Sequence, residues 1–180
     1  LGAAMASTGR VYAFDVSEKR LINLGPRLKR SGLSNITPQK IESENDARIK
    51  RLAGKIDRVL VDAPCTGLGT LRRNPDLKWR QSEQSLMELN VKQAAILKSA
   101  ARLVKPGGRL VYATCSFLPE ENEQIVEKFL AANAEFELVP ASKVVNRLKW
   151  PIKDMGDYFR LSPQQHGTDG FFAAVMERRK

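Results

Sequence analysis

The sequence contains few of the residues that build metal sites and disulfide frameworks. Two cysteines and one histidine occur among its 180 residues. That set is too small for a closed zinc site made of cysteine and histidine alone, so we expect no metal. The single histidine, His166, is expected in a turn before the last strand. The cysteines lie in different segments and no secretory signal is present, so we expect two free thiols in a cytoplasmic protein.

Long hydrophobic runs are also missing. No apolar stretch approaches the ~20 residues that a membrane-spanning helix needs, so we expect no membrane partner. The opening LGAAMASTGR has neither the basic start nor the longer apolar core of a signal peptide. It also lacks an initiator methionine, which suggests a fragment of a longer protein. Without linkers or repeats, the chain is expected to form one domain over residues 1–180.

Acidic residues are outnumbered by basic ones. The 20 aspartates and glutamates face 30 lysines and arginines, which gives a formal net charge of +10. A surplus of this size attracts polyanions, first RNA and DNA and then acidic lipid. Basic charge can also serve solubility alone, but we favour a nucleic-acid partner.

The apolar runs alternate with segments of helical periodicity, which is typical of an α/β fold with a mostly parallel sheet. Predicted strands cover 10–15, 35–42, 58–63, 109–116 and 170–178. Predicted helices run over 17–31, from 82 to the KPGG segment at 105–108, and from 119 through 130. The pair Gly25-Pro26 should kink the first helix or delay its start.

Ligands of a doubly wound sheet bind beyond the carboxyl ends of its strands. Asp15, residues 62–65 and residues 114–116 occupy such ends, so both cysteines fall there. Asp15 is either an acid for ribose hydroxyls or a neighbour of the helix cap. A lone cysteine usually packs inertly. Two cysteines at neighbouring strand ends fit equally well with chemistry that needs a stabilised thiolate.

The segment LRRNPDLKWR carries four basic residues within nine positions, namely Arg72, Arg73, Lys78 and Arg80. Basic side chains neutralise phosphate, so we expect these residues to contact RNA. The alternative is a solvated charged loop. The tryptophan in the same segment, Trp79, either stacks on a base or plugs the core.

Two long motifs carry a resemblance to a known family. They are LVDAPCTGLGTLRRNPDLKWR at 60–80 and GGRLVYATCSFLPEENEQIV at 107–126. Together with the ending SPQQHGTDGFFAAVMERR, they resemble the RNA 5-methylcytosine methyltransferases of the RsmB/Sun (NSUN) type. The resemblance covers nearly the whole chain.

This resemblance implies a Rossmann-like methyltransferase that uses S-adenosylmethionine, with a mostly parallel sheet, helices on both faces and its first strand missing from this sequence. It implies that Asp15 holds the cofactor ribose and that Asp46, in SENDAR, lies near the adenine. Asp62 would lie beside both the cofactor and the target base. Cys115 would be the nucleophile, and Cys65 would assist product release.

The expected reaction methylates C5 of cytosine in RNA, with 16S-type ribosomal RNA favoured and transfer RNA as an alternative. A thiolate that adds to C6 makes C5 nucleophilic enough to accept a methyl group, and a second thiol can serve the release step. The residues alone leave open which cysteine attacks. A non-catalytic RNA-binding or ribosome-assembly module that keeps the fold is the competing hypothesis.

Overall fold

A computed structural model describes residues 1–148, 152 and 155–180. Strands and helices alternate along much of the chain, as the apolar periodicity predicts. The strands are β1 (Val11–Asp15), β2 (Ile36–Lys40), β3 (Ile56–Asp62), β4 (Val104–Thr114), β5 (Phe136–Val139), β6 (Phe159–Leu161) and β7 (Phe171–Arg178). The helices are α1 (Glu18–Ser31), α2 (Ala47–Lys50), α3 (Leu77–Arg80), α4 (Glu83–Ala101), α5 (Glu123–Ala132), α6 (Ala141–Leu148) and α7 (Pro163–His166).

The chain divides into two compact units, residues 1–49 and 50–180. In the first unit, β1 and β2 pair in parallel, with Val11 opposite Ile36 and Asp15 opposite Lys40. The polar end of β1 therefore lies at the carboxyl edge of a parallel pair, where the sequence predicts a ligand-binding acid.

Helix α1 ends where the sequence predicts. Ser17 caps its first turn with a side-chain hydrogen bond, and Gly32 follows its last turn in the left-handed conformation, with a φ of 65°. The helix runs through Pro26 from a start at Glu18, so the delayed start is wrong. Pro26 has no N–H group, so the helix lacks the one hydrogen bond that would end at the carbonyl of Ile22. The side chain of Ile22 is exposed, and this turn of the helix faces water, which can bind that carbonyl.

The second unit is built on a sheet in the order β3-β4-β7-β5, with β6 also paired to β7. Strands β3 and β4 are parallel, whereas β7 runs antiparallel to β4, β5 and β6. The sheet is therefore mixed where a mostly parallel one was expected. Only the short helix α7 separates β6 from β7, and such a connection permits an antiparallel return but no crossover.

Strand β4 lies inside this sheet and supplies alternate residues to the core. Its residues Val104, Leu110 and Tyr112 are fully buried. Helix α4 packs on β3 and β4, and its Leu97 is also fully buried. The same core contains Met176 from β7. The core thus forms directly beneath the strand that leads to the second cysteine.

Several expected boundaries change. Strand β4 begins at Val104, so the KPGG segment lies within the strand, and α4 has already ended at Ala101. Helix α5 begins at Glu123, later than Pro119, because residues 118–122 form hydrogen-bonded turns first. Strand β3 is at the edge of its sheet and is only partly buried, with Leu60 52% exposed.

Six elements have no counterpart among the predicted helices and strands, namely α2, α3, β5, α6, β6 and α7. These elements are short or weakly apolar, so periodicity carries little signal for them. No helix among the described residues is long and apolar enough to cross a membrane.

Replacing Leu97 by alanine should lower the free energy of unfolding by about 2–5 kcal/mol, because it leaves a cavity against β4. Met87→Ala on the same helix is the matched control. Its side chain is 62% exposed, and exposed substitutions usually change stability by less than about 0.5 kcal/mol. Urea unfolding measures both, and equal losses in the two variants would contradict this packing.

Candidate active site

The two cysteines meet at the carboxyl edge of the β3–β4 pair. Parallel pairing places Asp62 opposite Ala113, so the chain leaves both strands at the same edge. Cys65 and Cys115 follow within three residues, and their Sγ atoms are 3.5 Å apart. Both are free thiols, as expected, and both are partly buried. The structure therefore makes one site from two distant motifs.

The short contact makes the two thiols chemically unequal. The hydrogen bond from Cys65 lowers the pKa of Cys115 from the ordinary 9.0 to about 7, although burial and the carboxylates of Asp62 and Glu121 act the other way. The same contact, together with burial, raises the pKa of Cys65. Ionisation of the pair near neutral pH therefore favours a Cys115 thiolate, with Cys65 keeping its proton as the donor. A thiolate is the nucleophilic form of cysteine.

Asp62 stands at the rim of this thiol pair. Its side chain is exposed, and within the described residues its carboxylate accepts no hydrogen bond. The carboxylate nevertheless acts on the pair, since its negative charge raises the pKa of Cys115. An exposed carboxylate without a partner keeps all of its acceptor sites for a ligand.

The other two predicted cofactor residues, Asp15 and Asp46, lie in the first unit. Asp15 Oδ1 accepts a hydrogen bond of 2.7 Å from the backbone N–H of Ser17, and Arg20 lies 3.5 Å from Oδ2. Its side chain is one quarter exposed, which leaves acceptor capacity at the strand end. Asp46 is more buried and accepts backbone hydrogen bonds from residues 42 and 48, so it orders its own loop.

The basic side chains of the LRRNPDLKWR segment already have interaction partners within the protein. Arg73 and Arg72 lie 2.6 Å and 3.5 Å from the carboxylate of Asp169, which is nearly buried. Lys78 lies over the ring of Trp79, 4.8 Å from its centroid. The ion pairs orient the two arginines and leave their remaining N–H groups at the surface, since both side chains are more than half exposed.

The fourth basic residue, Arg80, and the neighbouring Trp79 both lie in α3. Arg80 pairs with Asp76 at 2.5 Å, one turn away in the α3 segment. Trp79 is 80% exposed, so the alternative that it plugs the core is wrong. Its ring is available at the surface beside the ammonium group of Lys78.

Two glycines bring the cysteine loops and the last strand together. Gly69 donates a backbone hydrogen bond to Cys115 O, and Gly170 donates one to Gly69 O, at 2.9 and 2.8 Å. A Cβ on Gly69 would collide with the carbonyl of Gly170, and one on Gly170 would collide with the Phe117 ring. Gly69 and Gly170 thus allow the close backbone packing that joins these segments.

Sequence reasoning missed the polar residues buried behind the thiols. They are Thr66, Gln93, Ser116, Glu121 and Asn122. Four of the five lie within the two cysteine motifs, and Gln93 interrupts the apolar face of α4, which was the one available signal. His166 was expected in a turn; it is instead the last residue of the short helix α7, and it accepts a hydrogen bond from Ser162 N. Within the described residues no group of three or more metal-ligating side chains occurs.

Comparison with known proteins identifies the family. A family model described as 16S rRNA methyltransferase RsmB/F matches residues 1–177. The chain is 37% identical over 174 residues to a probable ribosomal RNA small subunit methyltransferase B of Synechocystis, covering 97% of this chain and 39% of that protein. It is 38% identical over 183 residues to ribosomal RNA small subunit methyltransferase B of Klebsiella pneumoniae, covering 98% and 38%.

This chain belongs to the RsmB/F family.

A solved member of the wider group has the same fold. The crystal structure of NSun6 from Pyrococcus horikoshii with SFG superposes with a TM-score of 0.82 at 28% identity, over 99% of this chain and 44% of that one. The expected Rossmann-like α/β methyltransferase fold is thereby confirmed. The RsmB/F chain described here spans about two fifths of its curated relatives, 39% and 38% of their lengths.

Alkylation of Cys115 by iodoacetamide should rise with pH around a midpoint near 7, because only the thiolate reacts. Cys65→Ala removes the hydrogen-bond donor but leaves burial and the carboxylates, so the midpoint should move upward. The rate at pH 7 should then fall by roughly tenfold or more. Mass spectrometry of the Cys115 peptide measures the profile.

Cys65→Ser is the matched control for that experiment. Its hydroxyl keeps a donor at the same place, so its midpoint should lie between those of the wild type and Cys65→Ala. An unchanged midpoint in Cys65→Ala would show that the thiol contact does not set the reactivity of Cys115.

Proposed function

We propose that this chain is part of the catalytic domain of an S-adenosylmethionine-dependent enzyme that methylates C5 of cytosine in RNA, with small-subunit ribosomal RNA as the substrate. The thiol pair is the observation that carries the proposal. One thiol with a pKa of about 7 lies 3.5 Å from a second thiol that keeps its proton. The relatives named ribosomal RNA small subunit methyltransferase B support the choice of RNA.

Cys115 is the proposed nucleophile. Its thiolate adds to C6 of cytosine, the S–C6 bond forms, and the electrons of the C5–C6 double bond move into the ring and make C5 electron-rich. Methylated C5 then loses its proton, the double bond reforms, and the S–C6 bond breaks to return the thiolate. Each of these changes occurs at Cys115 or at the base held against it.

Cys65 is the proposed partner in release. While Cys115 is a thiolate, Cys65 donates to it. Once Cys115 is bonded to carbon, its sulfur is neutral and that hydrogen bond weakens, so the Cys65 thiol can pass its own proton to water and take up the proton that leaves C5. Asp62, exposed at the rim, is proposed to accept a hydrogen bond from the amino edge or N3 of the base.

S-adenosylmethionine, when bound, supplies the methyl group. Asp15 is proposed to accept hydrogen bonds from the ribose hydroxyls, and its quarter-exposed carboxylate at the end of β1 fits that role. Asp46 is proposed to order the loop beside the adenine, since its oxygens are taken by backbone N–H groups. Asp62 is proposed to contact the cofactor as well as the base.

RNA is proposed to bind along the basic segment that follows Cys65. Arg72, Arg73, Lys78 and Arg80 would contact phosphates, with the arginines oriented by their carboxylate partners. The exposed ring of Trp79 is available for stacking on an unpaired base. A segment that begins directly after a catalytic loop would hold the nucleotides next to the target.

Cys115→Ala in the full-length protein should reduce methylation by on the order of 10³-fold or more, because the covalent step is lost. Cys65→Ala should instead accumulate a covalent protein–RNA adduct, because the S–C6 bond forms but breaks slowly. The adduct is measured as a slow band on a denaturing gel after incubation with a small-subunit ribosomal RNA transcript and S-adenosylmethionine.

The double variant Cys65→Ala/Cys115→Ala is the control and should give no such band. Wild-type methylation by Cys115→Ala would refute the nucleophile assignment. Normal turnover without an adduct in Cys65→Ala would refute its role in release.

Lys78→Ala should weaken RNA binding about equally for all sequences and should reduce the salt dependence of affinity by roughly one phosphate contact. Trp79→Ala should weaken it by about 1–3 kcal/mol through lost stacking, and Trp79→Phe should recover part of that loss. Filter binding of the full-length protein at several salt concentrations measures both. Met87→Ala, on the exposed face of α4, is the matched control, and equal effects in all variants would contradict this surface.

A further inference from the structure

A buried carboxylate lies directly behind the thiol pair. Glu121 is fully buried, and among the described residues no lysine or arginine forms an ion pair with it. A buried charge without a counter-ion is costly unless several hydrogen bonds stabilise it. The hydrogen-bond partners of Glu121 therefore indicate its role.

The first partners lie on both sides of Cys65. Glu121 Oε1 accepts from the backbone N–H of Thr66 at 2.9 Å, and Oε2 accepts from the Thr66 hydroxyl at 2.6 Å. Gln93 Nε2 donates to the same Oε1 at 3.0 Å and to Pro64 O at 2.9 Å. The residues before and after Cys65 are thus both tied, directly or through Gln93, to one carboxylate.

The other partners lie beside Cys115. The backbone oxygen of Glu121 accepts from the hydroxyl of Tyr112, on β4, at 2.7 Å. The Thr66 hydroxyl that donates to Glu121 also lies 3.2 Å from Ser116 Oγ. Asn122, the next residue, donates from its amide to Ser116 O at 3.0 Å. The side chains and backbone of residues 121–122 therefore form hydrogen bonds to the segments that carry both cysteines.

We propose that Glu121 is a positioning residue that joins the two cysteine loops and keeps Cys65 within hydrogen-bonding distance of Cys115. The need for such a residue follows from geometry. The thiols belong to loops that leave two different strands, and at 3.5 Å a shift of about 1 Å would break their contact. The consequence for methylation rests on the proposed function, whereas the consequence for the thiols does not.

Two substitutions at Glu121 distinguish the effect of its hydrogen bonds from the effect of its charge. In Glu121→Gln the side-chain oxygen can keep the bonds to Thr66 N and Gln93, and the new amide can donate to the Thr66 hydroxyl. That variant removes the charge and keeps the connection. Glu121→Ala removes both and takes the shared acceptor from three donors, the backbone N–H and hydroxyl of Thr66 and the amide of Gln93. Glu120→Ala, at the neighbouring residue outside this hydrogen-bond network, is the matched control.

Phenylarsine oxide is a suitable probe because it binds two thiols only when they are close, forming two As–S bonds and releasing water. In the full-length protein, without RNA or cofactor, wild type, Glu120→Ala and Glu121→Gln should each bind one equivalent with similar affinity. Glu121→Ala should bind at least about tenfold more weakly, since its loops have lost their shared acceptor. Cys65→Ser sets the affinity of an unpaired thiol, and intact mass measures the stoichiometry.

The iodoacetamide profile of Cys115 supplies a readout that loss of stability alone would not move. Glu121→Gln should lower its midpoint, because one negative charge near the thiolate is gone. Glu121→Ala should raise it, because the donor contact from Cys65 is lost. Wild-type arsenical binding and a lowered midpoint in Glu121→Ala would overturn the proposal and leave Glu121 as a charge only.

Thr66→Val tests the proposal where Glu121→Ala fails to fold. It removes the hydroxyl between Glu121 and Ser116 while keeping the backbone N–H contact, so arsenical affinity should fall by an intermediate amount. Unchanged affinity in Thr66→Val would also count against the proposal. Neither readout uses methyl transfer, so an enzyme that proves inactive on RNA would refute the proposed function and leave this inference standing.

Discussion

The contact between the two thiols depends on the register of β3 against β4. Asp62 lies opposite Ala113, and a cysteine follows each strand, three residues beyond β3 and directly after β4. A slip of one residue would turn the side chains of one strand to the opposite face of the sheet. The thiols would then no longer meet, and Tyr112 would leave the core. The buried face of β4 therefore fixes the contact between the thiols as well as the fold.

The same alternation along β4 explains why polar groups are tolerated behind the site. Tyr112 and Thr114 point to the buried face, and they donate to Glu121 O and to the Asn122 side chain at 2.7 and 2.5 Å. An unpaired hydroxyl at either position would be costly in this setting. Residues 118–122 satisfy them by forming turns before α5 begins. The late start of α5 thus follows from the hydrogen bonds that the buried hydroxyls of β4 require.

Periodicity and residue type predicted the features that depend only on residues close in sequence. The strand end at Asp15 and the cap residues Ser17 and Gly32 follow from periodicity and from residue type, and the ends of β3 and β4 fall within two residues of the predicted ones. Glu121 could not be found in this way, because an acid in a presumed first helical turn is already explained by the helix dipole. Its burial requires the β3–β4 pairing and the position of α4, which are tertiary facts.

A neutral donor beside Cys115 has a chemical advantage over a cation. A lysine or arginine would also stabilise the thiolate, but its charge would remain in a partly buried site once the sulfur became bonded to carbon and neutral. The Cys65 thiol stabilises the thiolate by a hydrogen bond and leaves no charge behind when that bond is lost. A pair of thiols therefore suits the proposed reaction, in which the nucleophile would alternate between charged and neutral states.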